Sequence, residues 1–240
     1  MAFQLQMSEI ERAREIAERA LKTIHFREGQ ERANVWLAWL NLENKYGTAE
    51  SLDATFQKAL QANDPKHITL QLVNIYEQSG KLELAETLYK TMTKKFSTSA
   101  KVWTRFGLYY LQHGNIDASR QLLQRSLLSL PKRKHIKVIS RFAQMEFKHG
   151  EPERGRTIFE GIMSNYPKRL DLWSVYLDME IRTKDEAITR RLFQRVISLK
   201  FSSKKMKFLF KKWLQWEQSI GSEEGEAEVK RQALAYVQSA

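Results

Sequence analysis

Residues 102–131, VWTRFGLYYLQHGNIDASRQLLQRSLLSLP, contain the pattern that decides the fold. Apolar and aromatic side chains recur every three or four positions on both sides of Gly114, which is the spacing of one face of an α-helix. Glycine favours the end of a helix, and Pro131 favours the start of the next segment. The stretch therefore predicts two helices joined by a short turn.

The same unit recurs along the chain. Its central position holds Gly47, Gly80, Gly114, Gly150, Lys184 and Gly221, at intervals of 33, 34, 36, 34 and 37 residues. These intervals are close to the ~34-residue period of two-helix repeats. We predict an all-α fold, a right-handed superhelical solenoid of helical hairpins, as one domain over 1–240. Its parts are a leading helix at 8–24 and repeats at about 34–65, 67–97, 101–131, 135–167, 170–200 and 203–238.

The leading helix matches the second helix of a repeat without its first. This favours a fragment of a longer protein over a capping helix. Stacking of neighbouring hairpins is then the expected source of stability, because a single hairpin cannot bury its apolar stripe alone.

A carboxylate interrupts the apolar stripe four residues before the central position of four repeats. Such a group is costly on a buried helix face unless it is hydrogen-bonded or paired. Arginines six residues after the central position are candidate partners, and Glu146–Arg156 and Glu180–Arg190 are the candidate pairs across one hairpin. We expect Glu146 and Glu180 to be largely buried and satisfied by Arg156, Arg190 or neighbouring side chains. The residues assigned to this structural motif are Trp36, Glu43, Trp103, Glu146, Arg156, Trp173, Glu180, Arg190 and Glu217.

The pattern Trp-x-x-aromatic-x-x-x-Glu-x-x-x-Gly, followed by Ala/Gly-Arg-x-x-Phe, resembles the half-a-tetratricopeptide (HAT) repeats of RNA-processing factors. Residues 130–136, 179–181 and 203–213 more specifically resemble the C-terminal domain of the eukaryotic S1-domain ribosomal-RNA-processing proteins, the programmed cell death protein eleven family. This resemblance covers nearly the whole chain. It implies a nuclear and nucleolar factor whose partners are pre-rRNA or small nucleolar RNA and ribosome-assembly proteins. In that family tandem S1 RNA-binding domains precede the array, which implies that base-level RNA specificity resides in those domains.

Positive charge is concentrated in the second half of the chain. Residues 1–120 carry a net charge of +2 and residues 121–240 carry +10, as a surface for a polyanion needs. On a helical wheel, the lysines after residue 203 share the side opposite an apolar face, and Phe208 lies among them. A basic face with one aromatic ring suits phosphate contacts and a stacked base. The alternative for Phe208 is packing on a neighbouring helix. The candidate RNA- or partner-binding residues are Lys132, Arg133, Lys134, Lys137, Lys168, Arg169, Lys204, Lys205, Lys207, Phe208, Lys211 and Lys212.

The residue types that catalytic and metal sites require are missing or scattered. The chain has no cysteine, which fits a reducing compartment, and its 5 histidines lack the HExxH spacing. We therefore expect no metal, no cofactor, no small-molecule substrate and no catalytic activity. The longest apolar runs fall short of the ~20 residues of a membrane span. The acidic run at 222–228 is predicted to be a solvated loop between the last two helices; the alternatives are a docking site or a shield for neighbouring lysines.

Two classes of function remain. The first is a non-catalytic scaffold in ribosome biogenesis that binds pre-rRNA or pre-ribosomal assembly factors and supports pre-rRNA processing. The alternative is a purely protein-binding or self-associating HAT module of another RNA-processing complex. Salt-sensitive binding to structured RNA distinguishes the first from the second.

Overall fold

The computed structural model of the chain describes residues 9–25 and 27–239. Within these ranges the secondary structure consists of helices and the turns between them. The α-helices are α1 Ile10–Thr23, α2 Gly29–Tyr46, α3 Ala49–Ala62, α4 Pro65–Gln78, α5 Leu82–Lys95, α6 Ala100–Gln112, α7 Ile116–Ser129, α8 His135–His149, α9 Pro152–Asn165, α10 Leu170–Thr183, α11 Glu186–Ser198, α12 Ser203–Ile220 and α13 Glu223–Ser239. A short 3-10 helix, Lys132–Lys134, precedes α8.

The helices after α1 pair into hairpins: α2–α3, α4–α5, α6–α7, α8–α9, α10–α11 and α12–α13. The prediction of an all-helical repeat of hairpins is confirmed, and the right-handed superhelical path stays a prediction. Ser8, the predicted first residue of the leading helix, lies outside the described residues. Helix α2 begins at Gly29, earlier than predicted, because its first turn carries Glu31 instead of an apolar side chain and so escapes a search for the apolar stripe.

The central position of the repeat ends the first helix in two different ways. Gly80, Gly114 and Gly221 have φ values of +72° to +73°, and Lys184 adopts the same left-handed conformation at φ 62°. Glycine is the residue that takes this conformation without a steric cost. At Gly47 the backbone is extended, with φ −89°. A left-handed backbone therefore does not explain the glycine at this position, and a neighbouring glutamate does.

The chain divides into two compact units between Phe106 and Gly107. In the first unit, apolar side chains of α1 to α4 form a continuous core that includes Ala17, Trp39 and Leu40. At its end, the ring of Tyr89 from α5 stacks on the ring of Phe106 from α6, with 4.9 Å between the centroids. The second helix of one repeat therefore packs on the first helix of the next.

The second unit has the same packing. Its core includes Phe159, Trp173, Phe193 and Trp213, contributed by α9 to α12. Phe193 of α11 stacks on Trp213 of α12 with an interplanar angle of 3°. The apolar face predicted for α12 is buried, and it consists of Met206, Leu209, Phe210, Trp213 and Trp216.

The acidic run at 222–228 is helical, so the predicted loop there is wrong. Helix α13 begins at Glu223, and the backbone N–H of Gly225 donates to Ser222 Oγ at 3.0 Å. Glu223, Glu224 and Glu226 lie in its first turn. Carboxylates at this end stabilise a helix because they face the positive end of its dipole.

Candidate nucleic-acid interface

Buried carboxylates pair with arginines across repeat interfaces, which are the contacts between the second helix of one repeat and the first helix of the next. Glu180 is fully buried and accepts from Arg156 Nε at 2.8 Å and from Arg156 Nη2 at 3.0 Å. Glu217 accepts from Arg190 Nε at 3.0 Å and from Nη2 at 2.9 Å. The burial predicted for the motif glutamates is confirmed.

The candidate pairs within one hairpin do not form, although both glutamates are satisfied by arginines, as expected. Arg156 bonds Glu180 of the following repeat and not Glu146 of its own, and Glu146 accepts instead from Arg120 Nε at 3.3 Å. The reason is geometric, because the arginine side chain extends from the second helix towards the neighbouring hairpin. In the leading helix, Arg14 bonds Glu43 in the same way.

The order of residues along the chain contains a signal for this pairing. An arginine after the central position of one repeat is followed by a glutamate in the next repeat, as in Arg14/Glu43, Arg120/Glu146, Arg156/Glu180 and Arg190/Glu217. Where Asp53 replaces the arginine, the next repeat has Tyr76, and Glu86 is likewise followed by Tyr110. Comparing neighbouring repeats, instead of the two helices of one repeat, therefore predicts the observed pairs.

Further hydrogen bonds satisfy the buried carboxylates. Glu43 also accepts from Trp39 Nε1 at 3.0 Å and from Ser51 Oγ at 2.7 Å. The Arg14 hydrogen bond is the main reason that the pKa of Glu43 lies below its ordinary value, although burial acts in the opposite direction. Trp213 Nε1 donates to Glu217 in the equivalent way, at 2.9 Å. Bidentate, fully bonded pairs of this kind hold two helices in a fixed geometry.

The glycine at the centre of two repeats makes room for the glutamate. A Cβ atom on Gly47 would lie 2.2 Å from Glu43 Oε2, and one on Gly150 would lie 2.3 Å from Glu146 Oε2. Both distances are far below van der Waals contact. Glycine is therefore needed at these positions because of the carboxylate and not because of a left-handed backbone.

The other motif residues are structural as well. Trp103 is buried, and its Nε1 donates to the carbonyl oxygen of Ser97 at 2.7 Å. Trp173 donates to the carbonyl oxygen of Pro167 at 2.8 Å in the same manner. Each tryptophan thus fixes the start of its helix to the connection that precedes it. Trp36 is buried and stacks on Trp39.

Open grooves accompany the repeat interfaces. One groove, of about 570 Å³, is lined by Arg190, Glu217, Trp213 and residues of α13. A groove of about 240 Å³ lies beside Arg120 and Glu146. The buried carboxylates in these grooves are already bonded to arginines, so the grooves follow from the packing of the repeats and do not have the character of catalytic clefts.

The basic candidates fall into two groups by position. One group lies at the repeat boundaries. It consists of Lys132, Arg133 and Lys134 in the 3-10 helix before α8, Lys168 and Arg169 in the connection before α10, and Lys204 and Lys205 in the first turn of α12. All of them except Lys134 are exposed, and Lys134 is partly buried. The rest lie within helices: Lys137 is on α8, and Lys207, Phe208, Lys211 and Lys212 are further along α12.

The candidates along α12 differ in their surroundings. Lys207 and Lys211 are exposed, whereas Lys212 Nζ lies 2.7 Å from Asp178 and 2.9 Å from Ser174 Oγ. Phe208 is 46% exposed, with Lys212 Nζ 5.9 Å from its ring centroid. The ammonium group of Lys212 is therefore bonded to side chains of the neighbouring helix α10, while the Phe208 ring remains accessible to solvent.

Two connections between repeats meet at Phe201. Lys168 Nζ and Lys205 Nζ each lie 5.7 Å from the centroid of this buried ring. Lys168 also donates to the carbonyl oxygen of Leu199 at 2.7 Å. Lys200, between these residues, is exposed and has φ 48°. Sequence reasoning did not include Lys200, although it follows the same rule of a lysine beside a repeat boundary.

Neither a metal site nor a membrane span is found in the part of the chain that the structure describes. No group of three or more histidine, aspartate or glutamate side chains there could hold a metal ion. No helix in that part combines the length and apolar character needed to cross a bilayer.

Comparison with known proteins identifies the repeat and a set of close relatives. A family model described as the PRP39 N-terminal HAT repeat matches residues 135–238. The rRNA biogenesis protein rrp5 of Schizosaccharomyces pombe is 48% identical over 237 residues, which are 99% of this chain and 14% of that protein. The RRP5 homolog of Homo sapiens is 48% identical over 239 residues, 100% of this chain and 13% of that protein. RRP5 of Arabidopsis thaliana is 48% identical over 241 residues, 100% of this chain and 12% of that protein.

Proposed function

Because this chain is homologous along its whole length to the HAT-repeat region of RRP5 rRNA biogenesis proteins, we propose that it is a non-catalytic scaffold in ribosome biogenesis. Its role is to contact pre-rRNA, and assembly proteins bound to it, and so to support pre-rRNA processing in the nucleolus. The chain spans only 12% to 14% of the length of these relatives. The role proposed for this chain within such a protein therefore rests on the chain's own surface.

The observation that carries the RNA-binding part of this proposal is the basic surface of residues 107–239. The interface arginines of this unit are bonded to buried glutamates, so these pairs add no net charge to the surface. The lysines at the repeat boundaries and along α12 supply the positive potential instead. A surface that neutralises phosphates with lysine and arginine binds RNA with an affinity that falls steeply with salt.

The hydrogen bonds to the buried glutamates are the reason that we propose a non-catalytic role. The motif glutamates are bound by arginine, tryptophan and serine side chains. A carboxylate held in this way is a structural group and lacks the free position that a general acid or base needs. We therefore assign the repeated Trp, Glu and Arg pattern to stacking of repeats and the basic surface to binding.

The experiment that tests this function is charge reversal on α12. Lys204→Glu, Lys207→Glu and Lys211→Glu together should weaken binding of the 240-residue chain to structured RNA, and should reduce the salt dependence of that binding. Helicity and melting temperature should stay the same because all three side chains are exposed. The matched control reverses three exposed lysines of the first unit, Lys58, Lys94 and Lys101.

A protein partner gives a different result. If the reversal abolishes association with pre-ribosomal proteins and leaves RNA affinity and its salt slope unchanged, the surface binds an acidic assembly factor. If neither association responds, the lysines only solubilise the chain, and the function proposed for this surface is wrong.

A further inference from the structure

The hairpins of residues 107–239 have two distinct ends. In antiparallel hairpins, the turn within each repeat lies at one end and the connection between repeats lies at the other. Contacts between neighbouring repeats agree with this arrangement. Lys168 Nζ donates to the carbonyl oxygen of Leu199 at 2.7 Å, which joins two successive connections. Arg120 Nη2 donates to Glu151 Oε2 at 2.8 Å, which joins two successive turns at the other end.

The two ends carry opposite charge. The connections at 130–135, 166–171 and 199–205 contain eight lysines and arginines and one carboxylate, Asp171. The turns and first helical residues at the other end contain eight carboxylates and two basic residues, Arg154 and Lys184; these segments are 113–118, 149–154, 183–188 and 220–226. The connections therefore carry a net charge of +7 and the turns a net charge of −6.

Carboxylates at the acidic end are in part neutralised by the protein itself. Glu151 pairs with Arg120, Glu153 with Arg156, and Glu186 with Arg190. They also stand in or beside the first turns of second helices, where the helix dipole favours negative charge. This end is thus explained by folding and helix stability.

The basic end has no such explanation. Among the residues described, no carboxylate lies within 4.0 Å of Lys132, Arg133, Lys200, Lys204 or Lys205 in an ion pair. Arg169 of the connections forms an ion pair with Asp171 at 2.7 Å.

The position of these lysines also opposes helix formation. Lys204 and Lys205 stand in the first turn of α12, and the first turns of α8 and α12 contain no acidic residue. A positive charge at a helix N-terminus is unfavourable because it repels the positive end of the dipole. Cations at these positions therefore serve something other than the stability of the helices.

We propose that the connections 130–135, 166–171 and 199–205 form one basic strip, which binds the ribose-phosphate backbone of RNA along the ends of successive hairpins. This inference rests on the RNA-binding function proposed above and specifies where the RNA lies. The strip includes Lys200 and excludes Lys212, whose ammonium group is bonded to Asp178 and Ser174. RNA follows the repeat boundaries, and the acidic end faces away from it.

The contact involves phosphates and not base edges. Lysine ammonium groups are point charges that neutralise phosphates, and phosphate contacts position a nucleic acid without reading its sequence. Each repeat supplies one cluster of cations, so binding strength should depend on the number of intact clusters. RNA of different sequence should therefore respond in the same way to loss of one cluster.

Three double variants of the 240-residue chain test this location, and each changes the net charge by the same amount. The strip variant is Lys132→Glu with Lys200→Glu, which alters two separate connections. The opposite-end control is Arg154→Glu with Lys184→Glu. The helix-face variant, for comparison, is Lys207→Glu with Lys211→Glu, two lysines of the basic surface that lie outside the strip; it should weaken binding less than the strip variant does. Affinity for a poly(U) oligonucleotide and for an RNA duplex with the same number of phosphates is measured over a series of salt concentrations, and circular dichroism checks that each variant is folded.

The strip variant should lower the magnitude of the salt slope for poly(U) by about 1.4, since each lost phosphate contact on a single strand removes about 0.7. The opposite-end control should leave the slope unchanged. If the strip variant and the opposite-end control weaken binding equally, only net charge matters and the proposed location of the RNA is wrong. If only the helix-face variant weakens binding, RNA binding stands but the strip does not.

Two other results would overturn the proposal for different reasons. If the unaltered chain shows no salt-dependent RNA binding, the proposed function fails together with the strip. If the strip variant keeps its RNA affinity and loses affinity for a poly-glutamate peptide, the strip binds an acidic protein. A strip variant that melts early is replaced by Lys132→Gln with Lys200→Gln, which should lower the slope in the same direction.

Discussion

Each hairpin carries two kinds of charged residue, one at the repeat interfaces and one at the repeat connections. The interface charges hold the fold together, whereas the connection charges do not. Interface charges are buried and bonded, as Glu180 is to Arg156. Connection charges such as Lys132 and Lys204 are exposed, and within the described part of the chain no carboxylate forms an ion pair with them. The first set fixes how neighbouring hairpins stack, and the second leaves its charge available to a partner.

The first unit shows that connections of this kind fold without a basic cluster. Its connections at 24–29, 62–67 and 95–100 contain three basic and two acidic residues. At one of them Asp64 caps α4 by accepting from the backbone N–H of Lys66 at 3.1 Å. The eight cations in the connections of the second unit are therefore not a requirement of the turn, which supports a role in binding.

The largest expected effect comes from breaking an interface pair. Glu180→Ala leaves Arg156, whose side chain is 15% exposed, without its buried partner. We expect a loss of about 3 kcal/mol in the free energy of unfolding, measured by chemical denaturation, because an uncompensated charge remains in the interior. RNA affinity should stay unchanged while the variant is folded.

The matched control for this prediction is Glu153→Ala, which removes the other partner of the same arginine. Glu153 is 81% exposed, so its loss should cost less than about 1 kcal/mol. Equal losses from the two variants would contradict the distinction between buried and exposed charge. Unchanged stability of Glu180→Ala with lost RNA binding would mean that the glutamate is functional.

The sequence predicts the helices and the buried stripe because both depend on local periodicity. The burial of Glu146 and Glu180 followed from their places on that stripe. The stripe alone does not identify the arginine that bonds each glutamate, because the direction of the Arg156 side chain depends on the packing of the next hairpin. The same holds for Lys212, which appears on the basic side of a helical wheel but bonds Asp178 across an interface.

A smaller effect should follow from filling the space beside an interface carboxylate. In Gly47→Ala, the new Cβ would lie 2.2 Å from Glu43 Oε2 and 2.8 Å from the backbone oxygen of Glu43. We expect a loss of about 1–3 kcal/mol, typical of overpacking, in chemical denaturation.

Gly161→Ala is the control for this substitution, since nothing lies within 4 Å of its added Cβ on α9. Replacing a glycine inside a helix should stabilise the chain by roughly 0.5–1 kcal/mol. Opposite signs for the two variants would confirm that the carboxylate, and not the glycine itself, sets the requirement at Gly47. A neutral Gly47→Ala would show that Glu43 can move aside without cost.

The smallest expected effect on stability, and the most specific test of the connections, is Asp171→Asn. Asp171 is the one carboxylate in the basic strip, and it holds Arg169 Nη2 at 2.7 Å; this hydrogen bond lowers the pKa of Asp171. Because the pair is exposed, the melting temperature should change little. Releasing Arg169 should strengthen RNA binding and raise the magnitude of the salt slope by up to about 0.7 for a single-stranded probe. The control is Asp117→Asn, which removes an exposed carboxylate from the opposite end of a hairpin. If both substitutions raise affinity equally, the gain reflects net charge alone, and the difference between the two ends of the hairpins has no part in binding.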